Sequence, residues 1–116
     1  MKKFLVLYLA PTTVLDDWMK KDAKERQAAE EKMQKDWQQW SSDHAKMFDD
    51  TDAGVGKTKV VKPEGISDSR NDVMLYATVE ADSHDAAAKT FKDHPHLQIP
   101  QATIEIMEVR SHGMQG

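Results

Sequence analysis

Phe4–Leu9 (FLVLYL) is an unbroken run of six apolar residues that stops at Ala10-Pro11. The run is short for a helix, and Pro11 lacks the N–H that a continuing helix would use. It is read as a strand. A strand with one wet face would alternate apolar and polar residues, and this one does not. Only the hydroxyl tip of Tyr8 is polar, so both faces of the strand need a cover. Whatever fold the chain adopts must bury Phe4–Leu9 inside a sheet, with helices on one side and something else on the other.

The helices follow directly. Thr13 with Asp16, and Asp22 with Glu25, carry capping character. They predict a short helix over Val14–Lys21, a break, and a long helix from about Ala23 to about Phe48. Ala29, Met33, Trp37, Trp40, His44 and Met47 recur in alternating steps of four and three, which puts them on one helical face. The opposite face is Lys, Glu, Gln and Asp. At about 1.5 Å per residue such a helix spans roughly 37 Å, and Ser41-Ser42 is a place for it to fray or kink.

Beyond it, Asp49–Gly56 reads as a loop and Lys57–Lys62 as a lysine-edged strand, of the kind that protects a sheet edge. Pro63–Asn71 reads as a turn. Asp72–Ala81 is a strong strand whose odd residues, Val73, Leu75, Ala77 and Val79, are all apolar. Asp82-Ser83 starts a short helix running to about Lys92, with Asp85 placed favourably in its first turn. A two-proline turn holds His94-Pro95-His96, Thr103–Val109 is the last strand, and a flexible tail covers residues 111–116. Residues 1–110 form one domain with no repeat or linker. The order β-α-β-β-α-β predicts an α+β, ferredoxin-like fold with an antiparallel sheet. The first and third strands are central because they are the most apolar.

Helices cover one face of such a sheet. The other would present Tyr8, Tyr76, Thr78 and Glu105 beside the leucines of the first strand. The default cover for that face is a second copy of the chain, giving a homodimer built as a two-subunit α/β barrel. Topology also brings Tyr8–Pro11, Arg70–Asp72 and His94–Thr103 to one end of the sheet, where Trp18 would lie over them. That gathers two histidines, an arginine, an acid and an aromatic at the mouth of a cleft.

Composition removes several classes of function. The 116 residues carry 31% charged side chains and a formal net charge of −4, a balance unlike that of a nucleic-acid binder. The absence of cysteine excludes disulfides and thiol catalysis. The apolar start is too short to span a membrane and lacks a small-residue cleavage site, so the expected location is cytoplasmic. The sequence Gly54-Val55-Gly56-Lys57-Thr58 contains the GKT of a phosphate-binding loop. Thr51 stands where that motif needs its first glycine, and a strand follows where the motif needs a helix. HxH alone, with no third ligand at a known spacing, implies no metal, and no cofactor is required.

Three segments carry a family resemblance: KKFLVLYLAP at the start, ADSHDAAAKTF (Ala81–Phe91), and DHPHLQIPQATIEIMEV (Asp93–Val109). On these the chain resembles the YCII-related family of the dimeric α+β barrel superfamily over roughly residues 3–109. The resemblance implies a ferredoxin-like subunit and a homodimer with a cleft between sheet and helices. It also implies, as in some relatives, a catalytic His–Asp pair. The Asp-Gly-Pro-Phe motif of one large branch is absent, and Pro63-Glu64-Gly65-Ile66 stands near its place, so no function is carried over from that branch.

The expectation is a homodimeric enzyme or binding protein for a small polar organic molecule. His94 or His96 would act as general acid/base, with Asp72 orienting it. Tyr8, Trp18, Arg70, Tyr76 and Glu105 would bind the ligand. Two alternatives stand beside it: a dimeric interaction or scaffold protein without chemistry, and a cofactor-free monooxygenase like others in the superfamily.

Overall fold

The computed structural model describes residues 1–50 and 52–110. In chain order the elements are β1 (Lys2–Leu9), α1 (Thr12–Met19), α2 (Ala23–Asp43), β2 (Ala53–Gly54), β3 (Thr58–Lys62), β4 (Gly65–Ser69), β5 (Val73–Ala81), α3 (His84–Thr90) and β6 (Thr103–Glu108). Single turns of 3-10 helix lie at Ala45–Met47 and Pro95–Gln98. The protein is a mixed α+β fold with antiparallel sheets. Four strands form one sheet in the order β2-β5-β1-β6, and β3 with β4 forms a separate hairpin.

The apolar run of β1 is where it has to be, between β5 and β6. Phe4, Val6 and Tyr8 are fully buried on the face that also holds Val79, Ala77 and Leu75, their respective partners across the ladder with β5. The other face carries Leu5 opposite Thr78 and Met107, and Leu7 opposite Tyr76 and Glu105. Contrary to the expectation from sequence, Tyr8 therefore does not join Tyr76 and Glu105. It shares the parity of Phe4 and Val6 and lies under the helices, because its ring finds an aromatic cavity there and its hydroxyl an acceptor.

The long helix delivers Trp37 and Trp40 to this face, and α3 with its C-terminal turn delivers Ala87 and Phe91. Asp22 caps α2 by accepting the Lys24 N–H at 3.3 Å, and Ser83 caps α3 by accepting the Ala86 N–H at 3.1 Å. Helix α2 ends at Asp43, earlier than the periodicity suggests. His44 leaves helical geometry, places Nδ1 2.7 Å from the Trp40 carbonyl oxygen, and stacks its ring on the Trp40 indole at 4.1 Å. The same carbonyl already accepts the His44 backbone N–H at 3.1 Å, so the ring adds a second contact at the helix end.

The edge of the sheet departs from the sequence reading. The segment expected to be a loop supplies the edge: Phe48 bridges Val79, Ala53 pairs with Tyr76 and Gly54 with Leu75. Continued, that register places Lys57 beside Asp72, already off the end of β5. The lysine-edged strand therefore has no sheet left to border. It pairs with Gly65–Ser69, which was expected to be turn, and only Pro63-Glu64 makes the connection. Gly65 adopts φ 150°, a conformation open to glycine and strained for other residues. The hairpin projects from the body of the protein. The radius of gyration, 16.2 Å, exceeds the roughly 13 Å of a compact chain of this length. The tail expected to be flexible, 111–116, lies outside the described residues.

Candidate functional site

The His94-Pro95-His96 turn is a buried structure and not a rim. After α3 the chain turns, and His94 takes the N-cap position of the Pro95–Gln98 turn, with its Nδ1 accepting the His96 N–H at 2.9 Å. Because Nδ1 accepts, the ring proton of neutral His94 sits on Nε2. His96 Nε2 lies 2.9 Å from the Leu9 carbonyl oxygen, which can only accept, so that nitrogen also carries the proton. Both tautomers follow from the backbone.

These rings are 2% and 0% exposed. His94 stands edge-on to Trp37 and Trp40, with ring centres 4.4 Å away in each case, and 5.1 Å from Tyr8. Among the described residues His94 Nε2 and His96 Nδ1 have no hydrogen-bond partner. The N–H of His94 is left among aromatic faces, which accept it weakly. Burial, aided by the neighbouring His96 and His44, pushes the His94 pKa down to about 3. Burial also lowers that of His96, against the opposing effect of the Leu9 carbonyl. Both rings are neutral near pH 7.

Asp72 does not meet them. Its backbone oxygen accepts the Ala10 N–H at 2.9 Å, and its carboxylate accepts the Thr12 N–H at 3.3 Å. It fastens the end of β1 to the start of α1. Arg70 pairs through both guanidinium nitrogens with Asp16 on α1, at 3.0 and 3.3 Å, and holds that carboxyl below its usual range. Trp18 directs its indole N–H to Glu30 at 3.4 Å and takes the Lys21 ammonium over its ring at 5.6 Å. It leans on α2 and not over the histidines. Tyr76 is 43% exposed and Glu105 is exposed, both on the uncovered face of the sheet. Of the residues expected to form one cluster, only Tyr8, His94 and His96 come together.

The group that completes this cluster is Asp52, which the sequence reading passed over. Its Oδ1 accepts the Tyr8 hydroxyl at 2.9 Å and its Oδ2 accepts the Trp37 indole N–H at 2.7 Å. Burial, and then the adjacent Asp52 charge and hydrogen bond, raise the Tyr8 pKa far above the ordinary range, so Tyr8 stays a donor. Donor bookkeeping could have found the acid: a buried tyrosine and a partly buried tryptophan each need an acceptor, and DDTDAGVG is the acid-rich segment between helix and sheet.

Asp52 opens onto a cleft of about 780 Å³ between α2 and the Ala45–Asp52 segment, with Trp37, Phe48 and Leu75 as its apolar walls. Glu30, Asp49 and Asp50 join Asp52 around it, and no described lining residue is cationic. Lys3, 3.5 Å from Asp49, neutralises part of the rim. A wider groove of about 1090 Å³ lies between α1 and the base of the hairpin, lined by Arg70 and Thr12. It has no convergent buried polar group. Among the described residues no three His, Asp or Glu side chains are grouped to hold a metal. Among the described residues no helix is long and apolar enough to cross a membrane. No protein-family model matches the chain, and no curated protein aligns with it at a significant level.

Proposed function

We propose that this protein is a homodimeric binding protein or enzyme for a small organic molecule carrying a positive charge, held in the cleft between α2 and the Ala45–Asp52 segment. The observation that carries this reading is the Asp52 carboxylate, fixed at the cleft by the Tyr8 hydroxyl and the Trp37 indole N–H. Each carboxylate oxygen keeps a lone pair free after accepting one bond. The indole face beside it suits an ammonium group. Two donors on rigid elements hold the anion in place without neutralising it, which is the preorganisation that a binding carboxylate needs. The histidines serve as the packed backing of this wall.

The sheet order β2-β5-β1-β6, with β1 and β5 inside, supports a ferredoxin-like subunit of the kind that the YCII resemblance implies. Leu5, Leu7, Tyr76 and Met107 on the uncovered face support pairing with a second copy. The scaffold alternative draws on the same face, and ligand binding separates the two. The test is thermal shift and calorimetry with matched alkyl- and arylamines, carboxylic acids and alcohols. Amines should stabilise the wild type selectively, and Asp52→Asn should weaken them at least tenfold. Equal binding of all three classes, or an unchanged amine affinity in Asp52→Asn, would sink the proposal.

A further inference from the structure

The hairpin formed by β3 and β4 has no explanation within one copy. Almost every residue from Lys57 to Arg70 is exposed, and the two strands pack on each other and on little else. Lys59, Val61, Ile66 and Asp68 share one face: Val61 opposes Ile66, and Lys59 forms an ion pair with Asp68 at 2.6 Å. Val61 is 75% exposed and Ile66 68%. An isolated two-stranded hairpin is marginal in water and needs a third strand or a packing surface to hold. An apolar pair at the tip of a projecting hairpin is also unusual for a surface that stays wet.

Charge and area indicate what covers it. Residues 57–70 carry four cations, Lys57, Lys59, Lys62 and Arg70, against Glu64 and Asp68. That is a net +2 in a chain of net −4, so the rest of the chain carries −6. The hairpin is electrostatically complementary to the body of its own kind, and Glu80 and Glu105 stand exposed beside the uncovered sheet face. From strand spacing and rise, that face measures roughly 20 by 15 Å in projection, about 300 Å² per copy. This is well below the roughly 800 Å² that each partner contributes to a stable interface. The hairpin, about 17 by 10 Å, together with an equal patch covered on the partner, brings the projected area to about 640 Å² per copy, near the standard range.

We infer that the hairpin is an arm that clasps a second copy of this chain, with Val61 and Ile66 packed on the partner and the lysines against its acidic surface. The inference rests on the homodimer reading and adds to it that the arm is required.

Sedimentation velocity at a series of concentrations tests it, on the wild type, on Val61→Lys/Ile66→Lys, and on Leu7→Lys in the sheet face. The wild type should be a dimer. Both variants should dissociate at least tenfold more readily, with the arm variant keeping the wild-type circular dichroism because these side chains touch little in the single copy. A dimer whose dissociation constant does not change in the arm variant overturns the arm and leaves the homodimer standing. A monomeric wild type overturns both. A monomer whose melting temperature falls in the arm variant would show the arm folded onto its own chain, again against the inference.

Discussion

Two short segments leave the central sheet and meet opposite fates. The His94-Pro95-His96 stretch folds under the helices and is buried, although two of its three residues are titratable. The Lys57–Arg70 hairpin carries the apolar pair Val61 and Ile66 and is exposed in the single copy. Polarity alone predicts the reverse. The difference lies in what each segment can satisfy. The histidine turn meets its inward-facing backbone demands through its own side chains: His94 accepts the His96 N–H, and His96 meets the Leu9 carbonyl. Once neutral, an imidazole packs as an aromatic ring. The hairpin satisfies its backbone by self-pairing, and among the described residues of its own chain no third strand borders it. Burial follows from the supply of partners more than from residue type.

The largest test of this contrast concerns the ring that backs the histidines. Trp40 touches His44, Phe48, Phe91 and His94. Trp40→Ala should cost about 3–5 kcal/mol in urea unfolding. A loss below about 1 kcal/mol would show that the aromatic cluster is not the core.

An intermediate effect is expected from acid. The folded-state pKa of His94, about 3, lies below the roughly 6.5 of an unfolded histidine. Between those values the unfolded chain binds more protons, so the contribution of His94 is complete above about pH 6.5 and is lost as pH falls. His96 shifts in the same direction. Going from pH 7 to pH 5 should remove about 1–2 kcal/mol, a window above the range where ordinary carboxylates titrate. His94→Gln should be less stable at pH 7 and show a flatter slope. A flat wild-type profile between pH 7 and 5 would mean that the turn opens to water.

The smallest effect belongs to the exposed end. Arg70→Ala removes the two-pronged pair with Asp16, but both side chains are solvent-exposed. The thermal unfolding midpoint should be nearly unchanged. A clear fall in the midpoint would show that the hairpin base is anchored to α1 far more firmly than its exposure suggests.

Periodicity and punctuation made much of this legible beforehand. The apolar run of β1, the Trp37–Trp40 stripe and the Asp22 and Ser83 caps can be read from spacing, because each depends on near neighbours in the chain. The alternation of β5 was enough to assign Ala77 and Val79 to the covered face. The site was less legible. Tyr8 was recognised as important but placed on the wrong face, since a strand apolar on both sides gives no parity signal. Asp72 was paired with histidines because both lie at one end of the sheet, yet a helix start, the Thr12 N–H, claims its carboxylate first.

The sequence by itself determined that this chain places β1 inside an antiparallel sheet, lays a tryptophan-bearing helix over it, and has no cysteine for thiol chemistry. Those are local or compositional facts. Only the tertiary structure decided that Asp52, more than forty positions from Tyr8 and fifteen from Trp37, would accept a hydrogen bond from each. It also decided that the histidines would be neutral filling and that the lysine-edged strand would leave the sheet. Each outcome turns on which distant donor, acceptor or strand end is within reach, and sequence spacing does not specify that reach.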